Sequence, residues 1–340
     1  MINKSYHRAL SSLFMIASIL MILVTALYVA KPLLLPIIVG AFIALLCGPL
    51  VNYLVRFGIP RMINVIAVLF GLVAVIGIGL NILSEPAQQW WSKLPLFLEN
   101  VSNEVNEVTQ NSNEDSASSL LVNSSVANDG LTNNTAFSIV KSVLTTTPTI
   151  VYQMMIALFM AYFMMNYGRQ IYARALTLCT NFSDKRKAVE LVKVVQKDLS
   201  RYLGSITLIN IALGFVVGCV FYAMGLKDPF LWGAFAGLMN YIPYLGPMVS
   251  VTCFALVSFL QFESLSYALT VAAIFLAINL IESQMVTPIL LGKRFSLNPL
   301  ILFIWLVFWG WLWGAMGMLI GVPLLVCINV LFEQLAYFRK

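Results

Sequence analysis

The sequence predicts an all-α polytopic membrane protein with about eight hydrophobic segments and two broken or re-entrant helical hairpins in its C-terminal half. Three observations carry that prediction. The 340 residues are 60% hydrophobic and only 10% charged, a balance that no water-soluble surface tolerates. Polar residues gather in stretches between apolar runs, as loops between spans do. Two of those runs, 230–260 and 299–335, are longer than the ~20 residues that cross a ~30 Å hydrocarbon core, and each has helix-breaking residues near its middle.

Taken in order, the first run is Leu13 to Ala30. It follows the basic flank Lys4 and Arg8 and lacks a clear small-residue cleavage site, so it is expected to be a retained span with a cytoplasmic N-terminus. Lys31-Pro32 turns the chain, and Leu33 to Val55 returns, made easy to bend by Pro36, Gly40, Gly48 and Pro49. The loop from Arg56 to Arg61 holds two arginines and no acid, an inside signature. Met62 to Leu83 leads out again and completes three spans over residues 1–83. Residues 84–147 carry seven acids against Lys93 and Lys141 and are placed outside. Within them Trp90, Leu94, Phe97, Val101, Val105 and Val108 recur at steps of three and four, the pattern of an amphipathic helix beside the membrane. Gln110 to Thr135 has almost no apolar content and reads as a flexible linker.

The span at 148–166 crosses inward. Residues 167–202 are the most basic soluble stretch and are therefore expected in the cytoplasm. From Ser183 as N-cap, Ala188, Val192, Val195, Leu199 and Tyr202 form one apolar stripe, so an amphipathic helix should run into the span from Leu203 to Met224. Its lysines fit a solvated face that obeys the orientation rule; anionic lipid is the functional alternative.

The C-terminal core, 203–338, is organised around Gly237-Leu238-Met239-Asn240-Tyr241-Ile242-Pro243-Tyr244-Leu245-Gly246-Pro247. Two prolines and two glycines cannot continue a regular helix, and a bilayer tolerates unwound backbone only beside protein or water. The stretch is expected to break a helix along a solute pathway, the plainer alternative being a proline kink. If 230–260 and 299–335 each turn back, Lys293, Arg294, Arg339 and Lys340 all fall on the cytoplasmic side, whereas single crossings would put the first pair outside. The second break is expected at Trp309 to Gly317, with Gly310, Gly314 and Gly317 as its hairpin glycines. Paired broken helices are a recurring way to build a midplane site, because half-helix ends offer unpaired N–H and C=O groups. Between the hairpins lies Asn279 to Pro288, where Glu282 is the acid most deeply set in an apolar segment. At a span's centre such a charge costs roughly 2.5–3.5 kcal/mol, so it should face protein or water. It could be protonated, paired with Lys293 or Arg294, or part of the route. The pathway candidates are Asn210, Asn240, Tyr241, Pro243, Tyr244, Gly246, Pro247, Asn279, Glu282, Ser283, Gln284 and Pro288.

Other chemistry is excluded by what is missing. There is no phosphate-binding Gly-x-x-x-x-Gly-Lys-Ser/Thr loop, and the one histidine, His7, removes histidine metal sites and Ser-His nucleophiles together. The five cysteines show no metal spacing and suggest no disulfide framework. No enzyme, cofactor, metal or nucleic-acid partner is expected. Trp309 and Trp313 fall one turn apart and are expected to pack on glycine-rich neighbours. Gly310, Gly314, Gly317 and Gly321 repeat at three and four residues, a close-approach face that suggests a protomer contact in a homo-oligomer.

These residues also carry a resemblance. Leu34-Leu35-Pro36, Cys47-Gly48-Pro49-Leu50, Gly58-Ile59-Pro60-Arg61, the Asn240 to Pro247 block, the Glu282 to Gly292 block, Pro299, Gly310 to Gly317 and Gly321-Val322-Pro323-Leu324 together resemble the autoinducer-2 exporter family of bacterial membrane proteins. The likeness covers most of the chain outside 85–147. It implies a multi-span inner-membrane protein that exports a small polar solute: for some members autoinducer-2, for others sodium or lithium in exchange for protons. Three readings follow: a metabolite exporter, a cation/proton antiporter using Glu282, and a non-transporting scaffold, which has no need of helix breaks in lipid.

Overall fold

The structure, a computed structural model, describes residues 2–111, 131–177, 182–291 and 298–339, and among these every regular element is helical. Most of the expected linker at 110–135, together with Lys293 and Arg294, lies outside the described residues. The order is α1 (Ile2–Val29), α2 (Lys31–Val55), α3 (Arg61–Asn111), α4 (Leu131–Leu176), α5 (Phe182–Ala223), α6 (Pro229–Met239), α7 (Leu245–Phe262), α8 (Leu265–Ile281), a π-turn at Glu282–Val286, α9 (Thr287–Leu291), α10 (Pro299–Trp313) and α11 (Ala315–Arg339). Six helices are long and apolar enough to cross a membrane, and three shorter apolar helices, Phe14–Val29, Pro229–Met239 and Pro299–Trp313, accompany them. α3 does not stop at the end of its span: it runs on through the expected amphipathic stretch to Asn111, where only the backbone and a few side chains are described. α5 likewise joins the basic stretch to its span without a break.

The chain divides into two compact units. Met1–Leu69, Gln153–Ile209 and Met285–Lys340 make the first. There Gly40 of α2 lets the helix backbone of residue 157 come close: a Cβ at Gly40 would lie 2.6 Å from the Ala157 carbonyl oxygen. Arg61 Nε donates to the Met165 carbonyl (2.9 Å), and the Ser200 hydroxyl to that of Leu45 (2.7 Å). α10 and α11 form an antiparallel hairpin turned by Gly314 at φ +72°. A Cβ at Gly317 would stand 2.1 Å from the Trp309 carbonyl oxygen, and Gly310 faces Met318. Trp305 Nε1 donates to Gly321 O (2.7 Å), Trp313 Nε1 to Leu27 O (3.1 Å), and the Trp309 and Trp313 rings lie 4.6 Å apart. Gly310 and Gly317 are thus packed against their own hairpin, while a Cβ at Gly314 would meet open space.

The second unit comprises Phe70–Tyr152 and Asn210–Gln284. Its core is an up-down arrangement of the end of α5 with α6, α7 and α8. Phe254 of α7 sits at the centre, its ring 5.0 Å from Phe221 of α5, 6.1 Å from Phe235 of α6 and 4.8 Å from Phe275 of α8, all edge-on. α5 and α6 pack backbone to backbone through two pairs of glycines. A Cβ at Gly233 would lie 2.2 Å from Gly214 O, one at Gly214 would lie 2.8 Å from Gly233 O, and one at Gly237 would lie 2.6 Å from Asn210 O. Large apolar side chains such as Phe70, Phe215 and Tyr222 are exposed, as lipid contact requires.

Candidate functional site

Where α6 meets α7 the helix is interrupted from Asn240 to Tyr244, within the stretch the prolines and glycines marked. α6 has 11 residues, ~16 Å, about half of a ~30 Å hydrocarbon core. Its backbone then closes on itself. Leu245 N–H donates to Pro243 O (2.8 Å) around Tyr244 at φ 65°, ψ −54°, which is the rare positive-φ γ-turn, a strained conformation for an aromatic residue. Gly246 N–H donates to Ile242 O and Ile242 N–H to Met239 O, each at 2.9 Å. A Cβ on Gly246 would lie only 1.9 Å from Met239 O, so this approach requires glycine.

Much of the backbone at the break is paired locally: Leu245, Gly246 and Met248 N–H are bonded, Pro247 has none, and the Ala236, Leu238 and Met239 carbonyls accept from Asn240, Tyr241 and Ile242. Side chains add further polarity to the site.

Asn279 Nδ2 donates to Asn240 Oδ1 (3.3 Å), and Asn240 Nδ2 donates to Asn210 Oδ1 (2.9 Å). Three amides from α8, the break and α5 therefore form one chain, bridging separations of 39 and 30 residues. Tyr267 and Gln261 bond back to the α5–α6 turn at Met224 and Gly225, so the helix ends at Ala223, Pro229 and Leu265 share one end of the bundle. Counted from that end, the asparagines lie roughly 17–21 Å along their helices. Asn210 is 2% exposed, and among the described residues its Nδ2 finds no acceptor. A buried donor left in that state costs about 1–3 kcal/mol.

The other candidates stand differently. Tyr241, Pro243 and Pro247 are half-buried, and Tyr244 is exposed. Glu282 is 8% exposed and opens the π-turn. Pro288 accounts for that turn, since it lacks the N–H that would bond residue 284 in a regular helix, and such bulges are frequent at functional sites. Ser283 is exposed and bonds its own helix at Leu280 O, while Gln284 and Pro288 are exposed. None of these three is joined to the amide chain by a described bond.

Sequence reasoning missed the glycine pairs of α5 and α6, although Gly214-Phe-Val-Val-Gly218 and Gly233-Ala-Phe-Ala-Gly237 display the spacing openly. It also missed Ser250, fully buried on the inner face of α7 with no partner for its hydroxyl among the described residues, and Asp198, 4% exposed. At the end of the unit, Trp90 Nε1 donates to Asp228 Oδ2 (3.0 Å) and its ring meets Trp232 edge-on, which ties α3 to the start of α6.

Residues 16–337 match the family described as AI-2E family transporter. The AI-2 transport protein TqsA of Escherichia coli K12 is 26% identical over 327 residues, 93% of this chain and 90% of that protein. A protein of Haemophilus influenzae described as "Putative transport protein" is 24% identical over 335 residues, 98% of this chain and 94% of its own length. YhhT of E. coli K12, with the same description, is 30% identical over 137 residues, 40% of this chain and 39% of YhhT.

Proposed function

This chain belongs to the AI-2E family of transporters, and from that premise we propose that it exports a small polar solute of the autoinducer-2 type across a bacterial inner membrane, with both termini in the cytoplasm. The observation that carries the reading is the amide chain Asn279–Asn240–Asn210 at a helix break. Membrane interiors penalise polar side chains, and three hydrogen-bonding amides gathered at one depth suit the recognition of a neutral, hydroxylated molecule. The relative TqsA, named for AI-2 transport, supports that solute class.

The test is efflux from vesicles holding purified protein and loaded with autoinducer-2. Asn240→Leu removes the central link and should slow efflux about tenfold or more, equivalent to losing ~1.4 kcal/mol. Efflux at the parent rate in a correctly inserted variant would count against the site. One observation favours a second reading, a sodium or lithium/proton antiporter: Glu282 is a buried carboxyl in an apolar segment. There Glu282→Gln should end pH-driven sodium flux, and flux that persists removes Glu282 from the mechanism.

A further inference from the structure

Several hydroxyl side chains among the described residues bond back to their own helix: Ser258 to Phe254 O, Thr252 to Met248 O, Thr270 to Ser266 O, Thr25 to Met21 O. Ser250 has the same option and does not take it, although it is 0% exposed. Its place in the bundle follows from register. The Phe254–Phe275 contact joins two antiparallel helices; Ser250 is one turn from Phe254, and Asn279 is one turn from Phe275 in the same direction. Gly246, one turn before Ser250, lies against Met239 and Asn240. Ser250 therefore shares the level of the amide chain and belongs to the face of α7 that looks inward, together with Gly246 and Phe254.

Two side chains at this depth are at least 98% buried and hold unspent hydrogen-bonding capacity: Asn210 Nδ2, a donor, and Ser250 Oγ, a donor and acceptor. The core of this unit is otherwise built on apolar side chains that include Leu213, Val217, Ala236, Phe254 and Phe275. Native proteins leave few such groups without a purpose. We propose that Asn210 and Ser250 are the specificity-determining groups of the solute site, taking two hydroxyl groups of an uncharged polyol, with Asn240 and Asn279 holding Asn210 in register. Asn210 offers an N–H, which engages an oxygen lone pair and cannot ligate a cation, while its Oδ1 accepts from Asn240. Because both groups lie on the protein side of the bundle, solute recognition takes place against the helices and not against lipid. The proposal deepens the exporter reading and rests on it.

The test pairs protein variants with solute variants. Wild type, Ser250→Ala and Asn210→Asp are each placed in vesicles loaded with autoinducer-2, with an analogue lacking one ring hydroxyl, or with sodium. Asn210→Asp keeps the oxygen that accepts from Asn240 and exchanges the amide N–H donors for a carboxyl group. Wild type should move the full polyol at least about tenfold faster than the analogue, since a site built to bond a hydroxyl rejects a solute without it. Ser250→Ala should lose most of that preference while its melting temperature holds or rises, because it removes an unpartnered buried hydroxyl. A serine with no part in recognition would leave the preference unchanged. Wild-type polyol efflux with unchanged preference in both variants overturns this proposal and leaves the exporter reading standing. Sodium flux without polyol flux in wild type overturns both.

Discussion

Replacing Gly246 by alanine puts a methyl group where the turn between α6 and α7 has no room. The added Cβ would stand 1.9 Å from Met239 O, 2.6 Å from Met239 C and 3.3 Å from Asn240 N. All three are backbone atoms, so no rotamer change relieves the overlap, and the two segments must part by roughly 1 Å or more to restore van der Waals contact. Ordinary overpacking costs about 1–3 kcal/mol; against fixed backbone the upper end or beyond is expected, ~3 kcal/mol. The separation also pulls on the Ile242–Met239 and Gly246–Ile242 bonds and carries Asn240 away from Asn210. Thermal unfolding in detergent should therefore show Gly246→Ala several degrees below wild type, with efflux lost. Gly321→Ala is the matched control: its nearest neighbour would be Trp309 at 3.6 Å, an ordinary contact, and alanine gains about 1 kcal/mol over glycine in a helix interior. It should melt at or above wild type. A Gly246→Ala protein with wild-type melting and efflux would refute the steric account of the break.

Three further outcomes can be measured with the same preparations. Gly317→Ala meets Trp309 O at 2.1 Å, so it should open the α10–α11 hairpin, break the Trp305–Gly321 bond, and red-shift the emission of the tryptophans gathered there. Trp90→Phe deletes the donor to Asp228 and should cost about 1–2 kcal/mol; a double-mutant cycle with Asp228→Ala should show most of that loss to be shared between the two residues. Tyr244→Gly relieves the positive φ, a relief of about 1–2 kcal/mol, and removes a ring that is 47% exposed, so melting should hold or rise; a clear fall would mean that the ring, and not the backbone, governs this position.

Helix breaks were legible because lipid makes glycine and proline informative. The interruption at Asn240–Tyr244 and the turn at Gly314 fall inside the stretches that length and composition singled out. The continuity of α3 was not legible, since a change from apolar to polar composition at Ser84 marks an environment and not a helix end. Of twelve polar and hinge candidates, sequence could name Asn210, Asn240 and Asn279 but not join them. Their meeting depends on the α5–α6 crossing, which is set by Gly214, Gly233 and Gly237. Ser250 was hidden because its spacing matches that of serines that merely bond their own helix.

The local pairing of the backbone at the break shifts the weight of the proposed recognition onto side chains. An interrupted helix in lipid must satisfy its freed groups, and here it does so locally: a γ-turn at Tyr244, a bond from Ile242 to Met239, and a proline at 247 that brings no N–H to the first turn of α7. With those groups bonded, the proposed recognition relies chiefly on side chains. The distance between α5 and α6 then becomes a functional quantity. Gly237 brings α6 against the carbonyl of Asn210 itself, and the 2.9 Å bond from Asn240 spans the gap that this contact sets. A helix pair separated by alanines would hold the two amides farther apart and break the chain at its second link. Glycine packing and the amide chain in this unit are therefore one geometry, and neither can be altered without the other.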